Sequence, residues 1–249
     1  MKRSSFITYK EYFASDSDYI FDYRLLHFYV VFCTFLHYLG YYFHFTMKFI
    51  IFPYICSAMS RLIDIHTHFP TGLHIEPQGI GVHPWRAADE ALPRKEKYAA
   101  ADLVGEIGLD FACDVEHSKQ EEVFRAQLAI AEELQKPVVL HCVRAFEPKM
   151  KIVAESDLRA VIFHGYIGST QQAERAIEKG YFLSFGANTS RSPKTIEALR
   201  NTPLDKIFIE SDESKKNIEE IYSEIATLKG CKQDLLEQAI LENYNKVFE

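Results

Sequence analysis

What this sequence has little of narrows the choices first. Its five cysteines, Cys33, Cys56, Cys113, Cys142 and Cys231, form no CxxC pair and no regular spacing. A scattered odd set excludes a disulfide framework and reads as reduced thiols of a cytoplasmic protein. Positive charge is short as well: 28 Lys and Arg stand against 35 Asp and Glu, a formal net charge of −7. Broad electrostatic binding to nucleic acid is therefore excluded, and any such chemistry has to be local, held by a metal or a few cations. Gly165 and Gly168 are not followed by the lysine of a phosphate-cradling loop. No internal repeat and no low-complexity linker is present.

Aromatic residues are unevenly spread. Residues 1–58 hold 10 of the 19 Phe and 9 of the 14 Tyr. Between Arg24 and Lys48, residues 25–47 carry no Asp, Glu, Lys or Arg, a length sufficient to span a bilayer. The stretch nevertheless holds His27, His37 and His44 and is crowded with Tyr and Phe, which favour membrane interfaces over the middle of a span. It is too long, too aromatic and too late for a standard signal peptide. Residues 1–58 are accordingly read as a disordered extension or a start-site artefact, with translation beginning at Met59. The alternatives are a membrane anchor at residues 25–47 and a structured extension. Residues 59–249 are read as the folded body.

From Leu62 onward, short apolar runs alternate with amphipathic ones. Strands are predicted at 62–66, 79–82, 103–109, 138–142, 160–165, 181–186 and 206–211. Helices are predicted near 119–135, 145–156, 170–179, 192–200, 216–228 and 233–247. Alternating strand and helix implies a parallel sheet, and the nearly unbroken apolar strands imply cover on both faces. Seven strands in one domain point to an α/β, TIM-like (βα) barrel. It is shortened or distorted, because that fold ordinarily has eight strands in roughly 250 residues.

The polar residues then fall in a pattern. In the strand IDIHTH, Asp64, His66 and His68 occupy alternate positions and so share one face. His83 follows GIGV, Glu106 sits in LVGEIGLD with Asp110 at its end, His141 ends VVLH, His164 ends AVIFH and Asp212 follows KIFIES. Nearly all lie at the C-terminal ends of strands, the edge where parallel βα folds gather their active sites. Four histidines with one Glu and one Asp suit Zn²⁺, Mn²⁺ or Mg²⁺, two ions sharing a carboxylate. The reaction class that follows is hydrolysis.

The ordered series DIHTH (64–68), GVHPW (81–85), GEIGLD (105–110), HCVR (141–144), FHG (163–165) and ESDE (210–213) resembles the TatD-related metal-dependent hydrolases, a branch of the amidohydrolase-like barrels. The resemblance spans essentially all of residues 59–249. It implies one metal held by His66, His68, Glu106 and Asp212. A second would lie on Glu106, His141 and His164, with Glu106 bridging. Asp212 would also act as general base. It further implies DNA as substrate, with 3′-exonuclease-like DNase activity. Two departures stand out. His68 and His83 are only 15 positions apart, where the family has a longer segment, and Phe111 replaces the family's tyrosine after GLD.

Other residues carry two readings. His83 either lines the site against substrate or shapes a turn. Arg144 either grips a phosphate through two parallel hydrogen bonds or is a solvated helix-start arginine. Asp110 either orients a ligand histidine from behind or caps the next segment, and Asp64 supports His66 and His68. Cys142 is read as packing, His74 and His117 as surface. The function expected is a two-metal deoxyribonuclease with no stable protein partner. The alternatives are an aminoacyl-tRNA deacylase or small-molecule amide or phosphoester hydrolase on the same fold, and a membrane-anchored binding protein.

Overall fold

The computed structural model describes residues 62–249, so the readings made for residues 1–58 lie outside the described part. Six parallel strands lie in sequence order, β1 (Gly79–Ile80), β2 (Leu103–Asp110), β3 (Val138–Val143), β4 (Val161–Phe163), β5 (Phe182–Phe185) and β6 (Ile207–Ile209). Each hydrogen-bonds its successor. Among the described residues the α-helices are α1 (Lys95–Ala100), α2 (His117–Leu134), α3 (Phe146–Val153), α4 (Thr170–Glu178), α5 (Pro193–Asn201), α6 (Ile218–Lys229) and α7 (Gln233–Phe248).

The predicted first strand takes a different form. Residues 62–68 make isolated bridges, Ile63 with Ile75 and Thr67 with Asp212, both parallel. The Ile65 amide donates to the Ile209 carbonyl at 3.0 Å, and the Asp64 amide to the Ile75 carbonyl at 2.9 Å. This segment therefore lies between the end of β6 and the chain that enters β1, and it joins the two edges of the sheet. It is too short and too irregular for a continuous ladder, because Phe69-Pro70 ends it at once. The ring is a TIM-like barrel with six regular strands and one bridged segment.

Strands β2 to β6 are almost wholly buried, and their side chains merge with those of the helices into one apolar core. The helices start and stop where side-chain chemistry dictates. Ser169 with Gln172 and Asn217 with Glu220 form reciprocal caps at the starts of α4 and α6. Gly180 and Gly230 follow the ends of α4 and α6 with φ of 84° and 78°. Helix α1 was not foreseen; its one buried residue, Tyr98, gives too little periodicity to read. Among the described residues no helix is long and apolar enough to cross a membrane.

Candidate metal centre

The C-terminal ends of β2, β3, β4 and β6 and the bridged segment converge on Glu106. Its carboxylate has one oxygen on each side of the cluster. Oε2 lies 3.5 Å from His66 Nε2 and 3.8 Å from His68 Nε2. Oε1 lies 2.5 Å from His141 Nδ1, 2.6 Å from His164 Nε2 and 3.3 Å from His83 Nε2. Asp212 Oδ1 closes the first side, 3.5 Å from His68 Nε2 and 3.8 Å from His66 Nε2. Thus His66, His68, His83, Glu106, His141, His164 and Asp212 all meet at one mouth.

The electrostatics follow from that crowding. Burial by itself would raise the Glu106 carboxyl, but the facing rings, His141 and His164 in close contact and His66 and His83 farther off, hold it well below the usual carboxylate range. Burial, reinforced by the nearby Glu210 charge, pushes Asp212 up. His164 is driven up despite its burial, chiefly by Glu210.

The donor set fits a cation. His66 Nε2 is buried and has no hydrogen-bond partner, a costly state unless a positive ion occupies the space before it. Its separations from Glu106 and Asp212 are too long for good hydrogen bonds. They match two ligands about 2 Å from one shared ion. Three overlapping groups have the required convergence: His66 with His68 and Glu106; His66 with His164 and Asp212; and His83 with Glu106 and His141.

Around this cluster lies a supporting set. Asp110 Oδ2 is 3.2 Å from His141 Nε2 and accepts from Trp85 Nε1 at 2.6 Å, while Oδ1 accepts from the Ala112 amide at 2.8 Å. Asp64, expected to support His66 and His68, is held by the segment that carries Asp212. It is buried, and its Oδ1 accepts from the Ser211 amide at 2.9 Å. Arg144 is exposed, with φ of 51°, on the wall of a cavity of about 390 Å³ beside His164. Cys142 lines the same cavity.

Four supporting residues escaped the sequence reading. Glu210, 1% exposed, accepts from the Gly165 amide at 2.6 Å and faces His164 Nδ1 at 3.4 Å. Its signal was present, a carboxylate inside the apolar run KIFIES. Lys149 is fully buried; Nζ donates to the His141 carbonyl at 3.0 Å and lies 4.2 Å above the Phe163 ring. From α2, Gln127 pairs with both the amide and the carbonyl of Val82, at 2.6 and 3.1 Å, and so holds the residue before His83. Gln120 does the same for Asp110, accepting from its amide and donating to its carbonyl, each at 2.8 Å.

Residues 77–249 match the model of the family described as TatD related DNase. The chain is 30% identical over 198 residues to the uncharacterized metal-dependent hydrolase YabD of Bacillus subtilis, covering 68% of this chain and 76% of that protein. It is 33% identical over 147 residues to the 3′-5′ ssDNA/RNA exonuclease TatD of Salmonella typhimurium, covering 53% and 55%. The crystal structure of YjjV, a TatD homologue from Escherichia coli, superposes with a TM-score of 0.59 over 70% of this chain and 76% of that one, at 24% identity.

Proposed function

This chain belongs to the TatD-related DNase family and is a metal-dependent hydrolase acting on ester bonds, and from that premise we propose that it is a two-metal deoxyribonuclease working from strand ends. One observation carries this reading. The two oxygens of Glu106 face different histidine sets, His66 and His68 on one side and His141 and His164 on the other. A carboxylate so placed can be shared between two cations.

In this reading His66, His68, Glu106 and Asp212 hold one ion, and Glu106, His141 and His164 the other. Bound divalent ions of the Mg²⁺, Mn²⁺ or Zn²⁺ type would supply positive charge for the phosphate and lower the pKa of the attacking water. The remaining work belongs to the chain. Asp212 takes the proton of that water. Glu106, kept ionised by its histidines, stays negative throughout. Asp110 and Glu210 fix the rings of His141 and His164 from behind. His83 and Arg144 touch the substrate, Arg144 through a phosphate. A second cavity of about 670 Å³ next to Asp212 is lined by Asn188, Ser190, Arg191 and Lys215. It is large enough for a terminal nucleotide. With a net charge of −7, a compact grip on a strand end suits the molecule better than a long basic groove.

The test is hydrolysis of single-stranded DNA by the whole chain with Mg²⁺ or Mn²⁺, beside His68→Ala and a chelator control. Cutting by wild type alone supports the nuclease. A folded, metal-loaded wild type that leaves DNA intact removes that label and directs attention to charged tRNA and small esters.

A further inference from the structure

Trp85 has no part in the chemistry just described, yet it stands against it. Its indole edge is anchored. Nε1 donates to Asp110 Oδ2 at 2.6 Å, and the ring meets His83 edge-on, with centroids 4.6 Å apart and planes at 78°. The His141 ring is 6.0 Å away. Pro84 precedes it and is buried, and the start of the short 3₁₀ turn Pro84–Arg86 is capped by His83. The rest of the indole is open: Trp85 is 57% exposed. Single exposed apolar residues are ordinary on protein surfaces, so exposure by itself says nothing. An indole held at its edge by a hydrogen bond and otherwise open, beside the candidate metal centre, is a more specific object. Phe69 offers the contrast. It is 66% exposed and follows His68, but only its amide is held, by Thr67 Oγ1.

Two further observations say what such a ring would meet. The His141 ring that lies 6.0 Å from Trp85 also lines the cavity next to Asp212, whose wall carries Arg191, Lys215 and Lys216 beside Asp212 and Glu213. Arg and Lys side chains in a cavity that shares His141 with an aromatic ring are the combination that single-strand binding uses. The net charge of −7 also denies the chain a strong general attraction for phosphates. Contacts to bases therefore have to supply much of the affinity.

We propose that Trp85 is the platform on which a base of single-stranded nucleic acid stacks while the adjoining phosphate lies at the Glu106 cluster. This rests on the nuclease reading and adds to it the reason for a single-strand requirement: a paired base within a duplex has no free face to offer.

Trp85 is the chain's only tryptophan, so its emission reports this ring alone. The experiment titrates the whole chain, with Mg²⁺, using a cleavage-resistant phosphorothioate oligothymidylate and an abasic strand of the same length. The base-bearing strand quenches the emission and the abasic strand does not. In parallel, the preference in kcat/KM for base-bearing over abasic strands falls at least about fivefold in Trp85→Ala, and Trp85→Phe restores most of it. No quenching together with an unchanged preference overturns the platform. Equal loss in Trp85→Ala and Trp85→Phe also overturns it, because the hydrogen bond to Asp110 would then be what matters. Wild-type protein that is quenched but cuts no DNA keeps the platform and removes the nuclease reading.

Discussion

The Asp64 carboxylate accepts a hydrogen bond from the Ser211 amide at 2.9 Å, across 147 positions of chain. Ser211 lies between Glu210 and Asp212, so this bond ties the segment carrying both carboxylates to the one carrying His66 and His68. Burial pushes the Asp64 carboxyl from 3.8 to about 6 against the hydrogen bonds from Ser211. A group raised in this way still holds its proton in the folded state where the unfolded chain has lost it. Its stabilising share is complete below pH 3.8 and is lost as pH rises through about 6. The stability of wild type relative to Asp64→Asn should therefore fall by roughly 3 kcal/mol across that window and stay level above it. Urea unfolding of the chelated protein at a series of pH values measures this, and a level difference throughout would refute it.

Glu106→Gln keeps the side chain's shape and removes the charge that both histidine sets face. The expected result is loss of bound metal and a fall in kcat of more than about a hundredfold, since bound metal would supply several kcal/mol of transition-state stabilisation. Metal analysis of the purified variant beside its turnover decides it. Full metal content would show that Glu106 is not a ligand.

Glu210 touches no substrate in this account, yet it sits behind His164. Replacing it with Gln should weaken metal affinity by about 10- to 100-fold, as loss of a supporting carboxylate commonly does. Titration calorimetry with Mn²⁺ gives the constant, and an unchanged affinity would mean that His164 holds its orientation without help.

Asp212→Asn removes the proposed base. Activity should fall by about 10²- to 10⁴-fold, and the acid limb of the pH–rate profile should vanish. Persistence of the limb in the variant would assign it to another group.

Gly108, with φ of 148°, lets β2 approach β3 closely; an added Cβ would sit 2.1 Å from the His141 carbonyl oxygen. Gly72 also has positive φ, at 71°, but has open space around it. Gly108→Ala should therefore be destabilising by at least about 2 kcal/mol more than Gly72→Ala. Thermal unfolding of the two variants is the measurement, and equal losses would show that backbone strain outweighs the close approach.

Much of this was legible in the residues. A strand's apolar run and a helix's periodicity are local, so six helices and the positions of the barrel's strands could be read directly. The polar residues that end the strands could be named for the same reason: a parallel fold brings those ends to one edge whatever the details. Helix α1 and the broken first strand were not legible, since one is too short for periodicity and the other ends at Phe69-Pro70 before a ladder forms.

The residue order by itself thus determined the fold class, the family and the set of side chains that meet at Glu106. Only the closed ring decided which oxygen of Glu106 faces which histidines, that Asp64 holds Ser211, and that Gln120, Gln127, Lys149 and Glu210 are buried supports. The physical reason is one of partners. A glutamine, a lysine or a glutamate belongs in water unless a group far away in the chain satisfies it. Such a group, the Val82 amide for Gln127 or the His141 carbonyl for Lys149, comes within reach only once the strands have closed.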